Sequence, residues 1–396
     1  MSRNDELAYA SRGYKFVTWL IGVWPLEDGR VFSNIRFAVV VMLLVSTISC
    51  LGLEILTNCG NSSEILEYIG LISGTTAGLT KVLFVKLHRS DLASIVYSAI
   101  KDWSYVEKGS RKEAMLKYAR RAYTVGRFHF YFDMLIVITI IMDTLPSSDS
   151  VRSTSNGTFI EELKFRETPL RTNCLFVNAS TPIYWLVFSW QSLQLFNVVL
   201  CDAGNDVFFF CMAMHLCGQF EVLKILYSEV AETTKDETSR KERLRELVGK
   251  HSRLLELAAR LERTFNVILL VMLGNNALHI CLLGVQVLVV LKMNEPITLM
   301  KCLIACALVL GQLFLYSYAG ENLSSLSEEV GRVAYGFPWY ELSSKISRNL
   351  LYVMMRANAP FRLTAGRFYT VNIESFKEVL KASFSYFSVL RLVFDE

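Results

Sequence analysis

The polar residues of this sequence that are spaced to act together lie at its end, in ESFKEVLKASFSYFSVLRLVFDE, residues 374–396. At 100° per residue, Glu374, Lys377, Glu378, Lys381, Ser385 and Ser388 share one helical stripe about a third of the circumference wide. Phe376, Val379, Leu380, Ser383, Phe387, Leu390 and Phe394 fall mostly opposite. The pattern fits a soluble amphipathic helix, a membrane-surface helix or a pore-lining helix. In the last case its chemistry is the passage of hydrated ions, with no bond made or broken.

Bond-making chemistry finds no comparable grouping. GxGxxG and GxxxxGK[ST], which would cradle a phosphate, are missing, and so is the GxSxG nucleophile turn. His88, His129, His215, His251 and His279 form neither HExxH nor HxxxH, and no CxxC occurs, so no metal site and no cofactor are expected. Ser73 and His279 read as packing residues. An enzyme is disfavoured, and no nucleic-acid partner is expected.

The elements that must position the stripe are membrane helices. The chain has 396 residues, 52% hydrophobic and 20% charged, with a mean hydropathy of +0.34. The apolar residues cluster in runs near the roughly 20 residues that cross a bilayer: 37–56, 65–85, 128–145, 183–206, 266–291, 297–319 and the more polar 371–394. The second is rich in small residues (GLISGTTAGLT), which permit close helix packing in lipid. Segments 1–36, 81–127, 218–263 and 321–367 hold 5, 11, 10 and 6 Lys and Arg, against 0, 4 and 2 in segments 54–66, 145–182 and 292–301. Positive charge stays on the cytoplasmic side, so the amino terminus is expected inside and, after seven crossings, the carboxyl terminus outside. The sequons at Asn61, Asn156 and Asn178 all fall in loops assigned outside, and a fourth at Asn322 falls inside. Of the nine cysteines only Cys59 and Cys174 lie in outside loops, where a bridge or two free thiols both fit. The short YKFVTWLIGVWPL, residues 14–26, fits an interfacial helix with Trp19 and Trp24 at headgroup level, or a packed amphipathic segment without lipid contact.

The chain thus divides into an interfacial segment 1–36, spans one to four over 37–206, cytoplasmic helices 207–265, spans five and six over 266–320, a cytoplasmic helix within 321–367 and a last span 368–396. Asp202 and Asp206 are expected at the inner boundary, because the fourth span uses about 20 residues to cross. That span should continue into the cytoplasm. Leu244, Leu247, Leu254, Leu257, Ala258 and Leu261 should form a helix rising into the fifth span, making a platform that either anchors an oligomer or is a solvated hairpin. A further inside helix is expected over 338–359, with Leu342, Ile346, Leu350, Val353 and Met354 as its apolar stripe; Pro360 and Gly366 break the chain after it.

Seven spans invite comparison with G-protein-coupled receptors, but the topology is inverted and the DRY and NPxxY signatures are absent. A transporter would show matching halves with interrupted helices, and none are visible. A polar stripe facing lipid is costly, of order 2.5 to 3.5 kcal/mol for each mid-bilayer charge, although Lys377 and Lys381 near the inner end can snorkel. It therefore packs against polar residues of its own bundle or faces water. One helix cannot enclose water; several chains around an axis can.

The run LTAGRFYTVNIESFKEVLKASFSYFSVLR, residues 363–391, resembles the carboxyl-terminal signature of insect odorant receptors, closest to the hymenopteran branch. FPWYELSSKISRNLLYVMMRA and YSYAGENL also match that family, and the first two-thirds of the chain match in pattern. The resemblance implies an all-α, seven-transmembrane ion-channel subunit with a cytoplasmic helical anchor, in the plasma membrane of olfactory sensory neurons. It implies four subunits around a cation pore lined by the last helix, and a shared odorant co-receptor subunit as partner. The gate positions it implies are Val389 and Val393; Ser385, Ser388 and Lys381 fall on the pore stripe, and Arg391 stands where the co-receptor is apolar. A small volatile ligand, an odorant or pheromone, is expected in the outer half of the bundle. Helix direction places Tyr68, Ile69, Ile72, Ile138, Ile141, Met142, Tyr184, Phe188, Gln191, Ser192, Ile304 and Leu308 there. The alternatives are a gustatory-receptor-like homomeric channel gated by tastants, and a non-conducting membrane scaffold.

Overall fold

The computed structural model describes residues 14–27, 29–57, 62–106, 109–145, 152–155, 158–161, 167–172, 180–233, 237–293 and 296–395. The long apolar runs become helices because, in hydrocarbon, a segment must satisfy its own backbone N–H and C=O groups. In chain order, helix α1 covers residues 14–20, α2 Arg30–Leu56, α3 Ser62–Leu87, α4 Arg89–Tyr105 and α5 Ser110–Asp143. They are followed by α6 Thr181–Thr233, α7 Glu237–Met293, α8 Pro296–Tyr335, α9 Ser344–Ala357 and α10 Ile373–Asp395. Two short antiparallel hairpins interrupt them: β1 (Arg152–Ser155) with β2 (Thr158–Glu161), and β3 (Thr364–Ala365) with β4 (Tyr369–Thr370). Among the described residues, α2, α3, α5, α6, α7 and α8 are long and apolar enough to cross a membrane. Helix α10, with 23 residues, reaches about 35 Å at 1.5 Å per residue and is the seventh helix of membrane length.

Helices α6, α7 and α8 contain 53, 57 and 40 residues, so each is far longer than the roughly 30 Å hydrocarbon core. The boundaries drawn at 206, 265 and 320 fall inside these helices and mark no break in the backbone. Extending a helix adds one hydrogen bond per residue, whereas ending it orphans up to four groups. Beyond the spans, the extensions pack with α4 and α9 around one core containing Leu223, Tyr227, Leu244, Leu261, Val330, Leu350 and Val353. Its rim is tied by Lys224 to Glu329 at 2.6 Å, by Arg260 to Asp91 at 3.4 Å, and by Arg111 to Glu229.

Three expectations are corrected. Helix α9 begins at Ser344; residues Trp339–Glu341 form a 3-10 turn, and extended backbone at Leu342 and Ser343 turns the Leu342 side chain into the core before the helix starts. Trp24 is not at a surface: it is buried beside Tyr14, which packs on Phe208, while Phe16 and Trp19 face outward. Lys81, counted by its position with a cytoplasmic loop, lies within α3 and is 1% exposed.

That lysine explains the acids of α6. Its Nζ lies 2.5 Å from Asp202 Oδ1 and 2.5 Å from Asp206 Oδ1. Asp206 is fully buried and also accepts from Tyr316 Oη at 2.5 Å and Gln312 Nε2 at 2.6 Å, with His129 Nε2 at 3.4 Å. The other nitrogen of His129 faces Asp133 at 3.4 Å. Helices α3, α5, α6 and α8 therefore meet at one paired charge cluster, since a buried charge is tolerated only when partnered. Gly320 plays the steric counterpart below it: a Cβ there would lie 2.0 Å from the Val371 carbonyl oxygen, so only glycine lets α8 approach the segment that starts α10.

Asp206→Ala leaves Lys81 without its fully buried counter-charge and is expected to cost about 3–5 kcal/mol. Asp202→Ala, at a side chain 31% exposed, should cost clearly less. Thermal unfolding of the detergent-solubilised protein measures both, and equal midpoints for the two variants would remove the cluster from this role.

Candidate functional site

At the end of the bundle away from α9, a second apolar cluster forms between α2, α3, α5 and α6. Its buried members are Leu51, Tyr68, Val137, Leu170 and Leu195, with Ile55, Leu71, Ile72, Ile140, Ile141, Phe196 and Val199 packed around them. The spacing that buries Tyr68 with Leu71 and Ile72 is one face of α3. Beside the cluster on α6, Tyr184, Phe188 and Gln191 are buried; the Tyr184 and Phe188 rings are 6.0 Å apart, and Trp185 meets Phe188 edge-on at 5.7 Å.

Leu170 belongs to a strap, residues 167–172, that lies outside every helix. Thr168, Pro169, Leu170 and Arg171 make a β-turn in which the Arg171 N–H donates to the Thr168 carbonyl at 2.7 Å, with proline at its second position. Gln191 clamps the turn at both ends of its amide: Oε1 accepts from the Leu170 N–H at 3.0 Å, and Nε2 donates to Thr172 Oγ1 at 2.6 Å. The Tyr68 hydroxyl donates to the Arg171 carbonyl at 2.8 Å and that of Tyr184 to the Glu167 carbonyl at 3.0 Å. Arg171 sits at φ +53, in the left-handed region, with its guanidinium 2.7 Å from Glu67.

The residues expected to meet a ligand divide accordingly. Tyr68, Ile72, Ile141, Tyr184, Phe188 and Gln191 come together at this cluster and its rim, and Ser192 is half-buried with its hydroxyl donating to the Phe188 carbonyl. The polar groups of Tyr68, Tyr184 and Gln191 bind the strap. Ile69, Ile138 and Met142 lie on the outer surface of the bundle, 37%, 46% and 61% exposed. Ile304 and Leu308 are half-buried on α8, and the described cluster does not include them. Sequence reasoning missed Leu170 and Arg171. The signal available was ETPLRT, a proline-led turn in an otherwise polar loop.

Ser73 and His279 do meet: Ser73 Oγ is 3.0 Å from His279 Nε2, which is also 3.0 Å from the Gly70 carbonyl. Gly70 and Gly74 leave room for the imidazole, so the contact is an interhelical tie between α3 and α7.

The terminal helix is capped by Asn372, whose Oδ1 accepts the Ser375 N–H at 2.9 Å. One face of α10 packs on α7 and α8: Phe376 meets Phe314 edge-on at 5.6 Å, and Phe387 lies against Gly284. Glu374, Lys377, Glu378, Lys381, Ser385 and Ser388 are all exposed on the opposite side. Of the two placements open for the stripe, packing against its own bundle is thus excluded for these residues. The side chains of Val389, Arg391 and Val393 lie outside the described ones. So do Asn61, Asn156, Asn178, Cys59 and Cys174.

Comparison with known proteins places this geometry. The family model described as 7tm Odorant receptor matches residues 61–384. Odorant receptor 46a, isoform A, of Drosophila melanogaster is 21% identical, covering 99% of this chain and 100% of the relative. Odorant receptors 47a and 13a of the same species are 27% and 28% identical, over 52% and 53% of this chain. In those two the chain spans about half the relative's length, 54% in each. The insect olfactory receptor OR5 from Machilis hrabei has the same fold, with a TM-score of 0.77 at 14% identity over 99% of this chain and 100% of that one. Its complex with eugenol aligns with a TM-score of 0.75 at 13% identity, over 98% and 100%.

Gln191→Leu strands the buried Leu170 N–H and Thr172 hydroxyl and is expected to cost about 1–3 kcal/mol. Tyr68→Phe, which removes one hydrogen bond, should cost about 1 kcal/mol. Paired thermal-unfolding midpoints check the order; a Gln191→Leu protein as stable as the parent would dissolve the clamp.

Proposed function

The chain belongs to the 7tm odorant receptor family, and from that premise we propose that it is the ligand-tuned subunit of a non-selective cation channel. Small volatile apolar odorants or pheromones bind in the outer half of its helix bundle, and water and cations pass along α10. It is a multi-pass membrane protein, with the plasma membrane of olfactory sensory neurons as its site of action. The shared odorant co-receptor completes a heterotetramer around the pore.

The observation that carries this reading is the exposed polar stripe of α10, Glu374 to Ser388, on the side turned away from the chain's own helices. Against lipid this stripe would carry Glu374 and Glu378 as well as two lysines, a cost that snorkelling relieves only for the lysines near the inner end. Further along the same helix, Val389 and Val393 supply an apolar ring, which holds water out until the helices separate. The outer cluster supports the ligand class: an apolar interior with Tyr68, Tyr184 and Gln191 at its rim suits a small molecule with one or two polar atoms. The eugenol complex of OR5 from Machilis hrabei is consistent with such a molecule. Ligand binding favours the state in which the outer ends of the α10 helices are spread.

Phe188 touches both Tyr184 and Trp185, so Phe188→Ala is expected to weaken ligand potency about tenfold or more, as loss of a buried aromatic does in an apolar pocket. Current recordings over an odorant panel, with and without the co-receptor, measure this and test the function itself. Ser385→Cys, Ser388→Cys and Val389→Cys should react with thiol reagents in solution, and Val389→Arg should raise the resting current by wetting the constriction. Silence toward every odorant tried, with cysteines at 385, 388 and 389 all unreactive in chains that reach the surface, would end the channel reading.

A further inference from the structure

We propose that Leu170 is a displaceable plug: its side chain fills the outer apolar cluster in the unliganded protein, and a ligand occupies the site by taking its place. This rests on the receptor reading above and adds to it a competitor carried by the chain itself.

Five observations lead there. Leu51, Tyr68, Val137 and Leu195 are fixed to helices, and Leu170 is the one buried member of the cluster on a strap. Leu170 is itself 1% exposed among these side chains, and protein interiors hold few voids, so an apolar guest enters only when a member leaves. The strap is a self-contained turn, closed by its own Arg171 to Thr168 hydrogen bond and by Thr172 N–H donating to Thr168 Oγ1 at 3.0 Å. It can therefore lift as a unit. Its polar ties to the helices, among the described residues, are made by side chains: the Gln191 clamp, the Tyr68 and Tyr184 hydroxyls, Cys50 with Thr172, and the half-exposed Arg171–Glu67 pair. Finally, Arg171 is held at φ +53, a conformation that a non-glycine residue keeps only where its surroundings impose it. Release of the strap relieves it.

The exchange is chemically reciprocal. When Leu170 withdraws, its isobutyl group is replaced by the apolar body of the guest. The Tyr68 hydroxyl, which donates to the Arg171 carbonyl, turns to a guest oxygen, and Gln191 Oε1, which accepts from the Leu170 N–H, accepts from a guest hydroxyl. The fitting class is a small apolar molecule bearing one hydroxyl or carbonyl oxygen. Because ligand affinity is reduced by the fraction of time the site is open, a plug seated about nine-tenths of the time weakens apparent affinity about tenfold.

The test uses the full chain co-expressed with the co-receptor, with eugenol and a series of straight-chain 1-alkanols as probes. Leu170→Cys is labelled in intact cells by a thiol reagent, against the parent chain as background. Labelling should be slow, about tenfold faster when Gln191→Leu is added, and faster again in saturating probe. Leu170→Ala should lower the half-maximal concentration of the active probes about tenfold and extend the accepted alkanols to longer chains. Should Leu170→Ala not reach the surface, Leu170→Val, which removes a single carbon, is read in the same way with a smaller shift. Labelling that neither Gln191→Leu nor any probe accelerates overturns the plug. Raised half-maximal concentrations in a surface-expressed Leu170→Ala or Leu170→Val overturn it too. Probe-driven current with unmoved labelling refutes the plug and leaves the receptor reading intact. Accelerated labelling by probes that evoke no current supports the plug, and the channel reading then falls only if the cysteines at 385, 388 and 389 are unreactive as well.

Discussion

A bilayer offers a polar group no water to return to, so every hydrophilic side chain along the spans must find a partner inside the protein or a wet surface. The arrangement of this molecule follows from how each group meets that demand. Lys81, Asp202 and Asp206 meet it by pairing, and in doing so fix four helices to one another. Gln191 and Tyr68 meet it by holding the strap. The stripe of α10 finds no partner on the other helices among the described contacts, pairs Lys377 with Glu374 at 3.1 Å within itself, and is left exposed.

These three solutions lie at different places on the molecule and are linked through the helices. The outer cluster draws on α3 and α6, the same helices that carry Lys81 and the two acids. Helix α8 brings Gln312 and Tyr316 to the charge cluster and, two residues before Tyr316, Phe314 to α10. A packed core does not deform continuously, so a shift at the outer cluster that moves α3 against α6 bears on the charge cluster and, through α8, on α10. In the proposed channel this is the route by which an occupied ligand site acts on the conduction helix.

Helices α6, α7 and α8 run without interruption from the spans into the core they share with α4 and α9. Continuous helices make the platform a rigid extension of the membrane bundle. Among the described segments that lie off the long helices are the 167–172 strap at one end and, at the other, the β3–β4 turn, where Gly366 and Arg367 both have positive φ just before α10 begins.

Much of this was legible in the residues. Spans of membrane length follow from run length alone, because about 20 apolar residues cannot be hidden otherwise. The α10 stripe follows from the 100° period, the continuation of α6 from the roughly 20 residues a crossing uses, and that of α7 from the leucine spacing between 244 and 261. What the sequence could not convey is which polar group meets which. Lys81 and Asp206 are 125 residues apart, and at the inner end of the 65–85 run the lysine looks like a charge turned to the cytoplasm. Gln191 and Tyr68 look like groups waiting for a ligand, until the tertiary structure shows them holding Leu170 and Arg171. Periodicity states which face of a helix is polar, and only packing chooses the neighbour opposite it. The strap, having no period, left in the sequence only its proline-led turn.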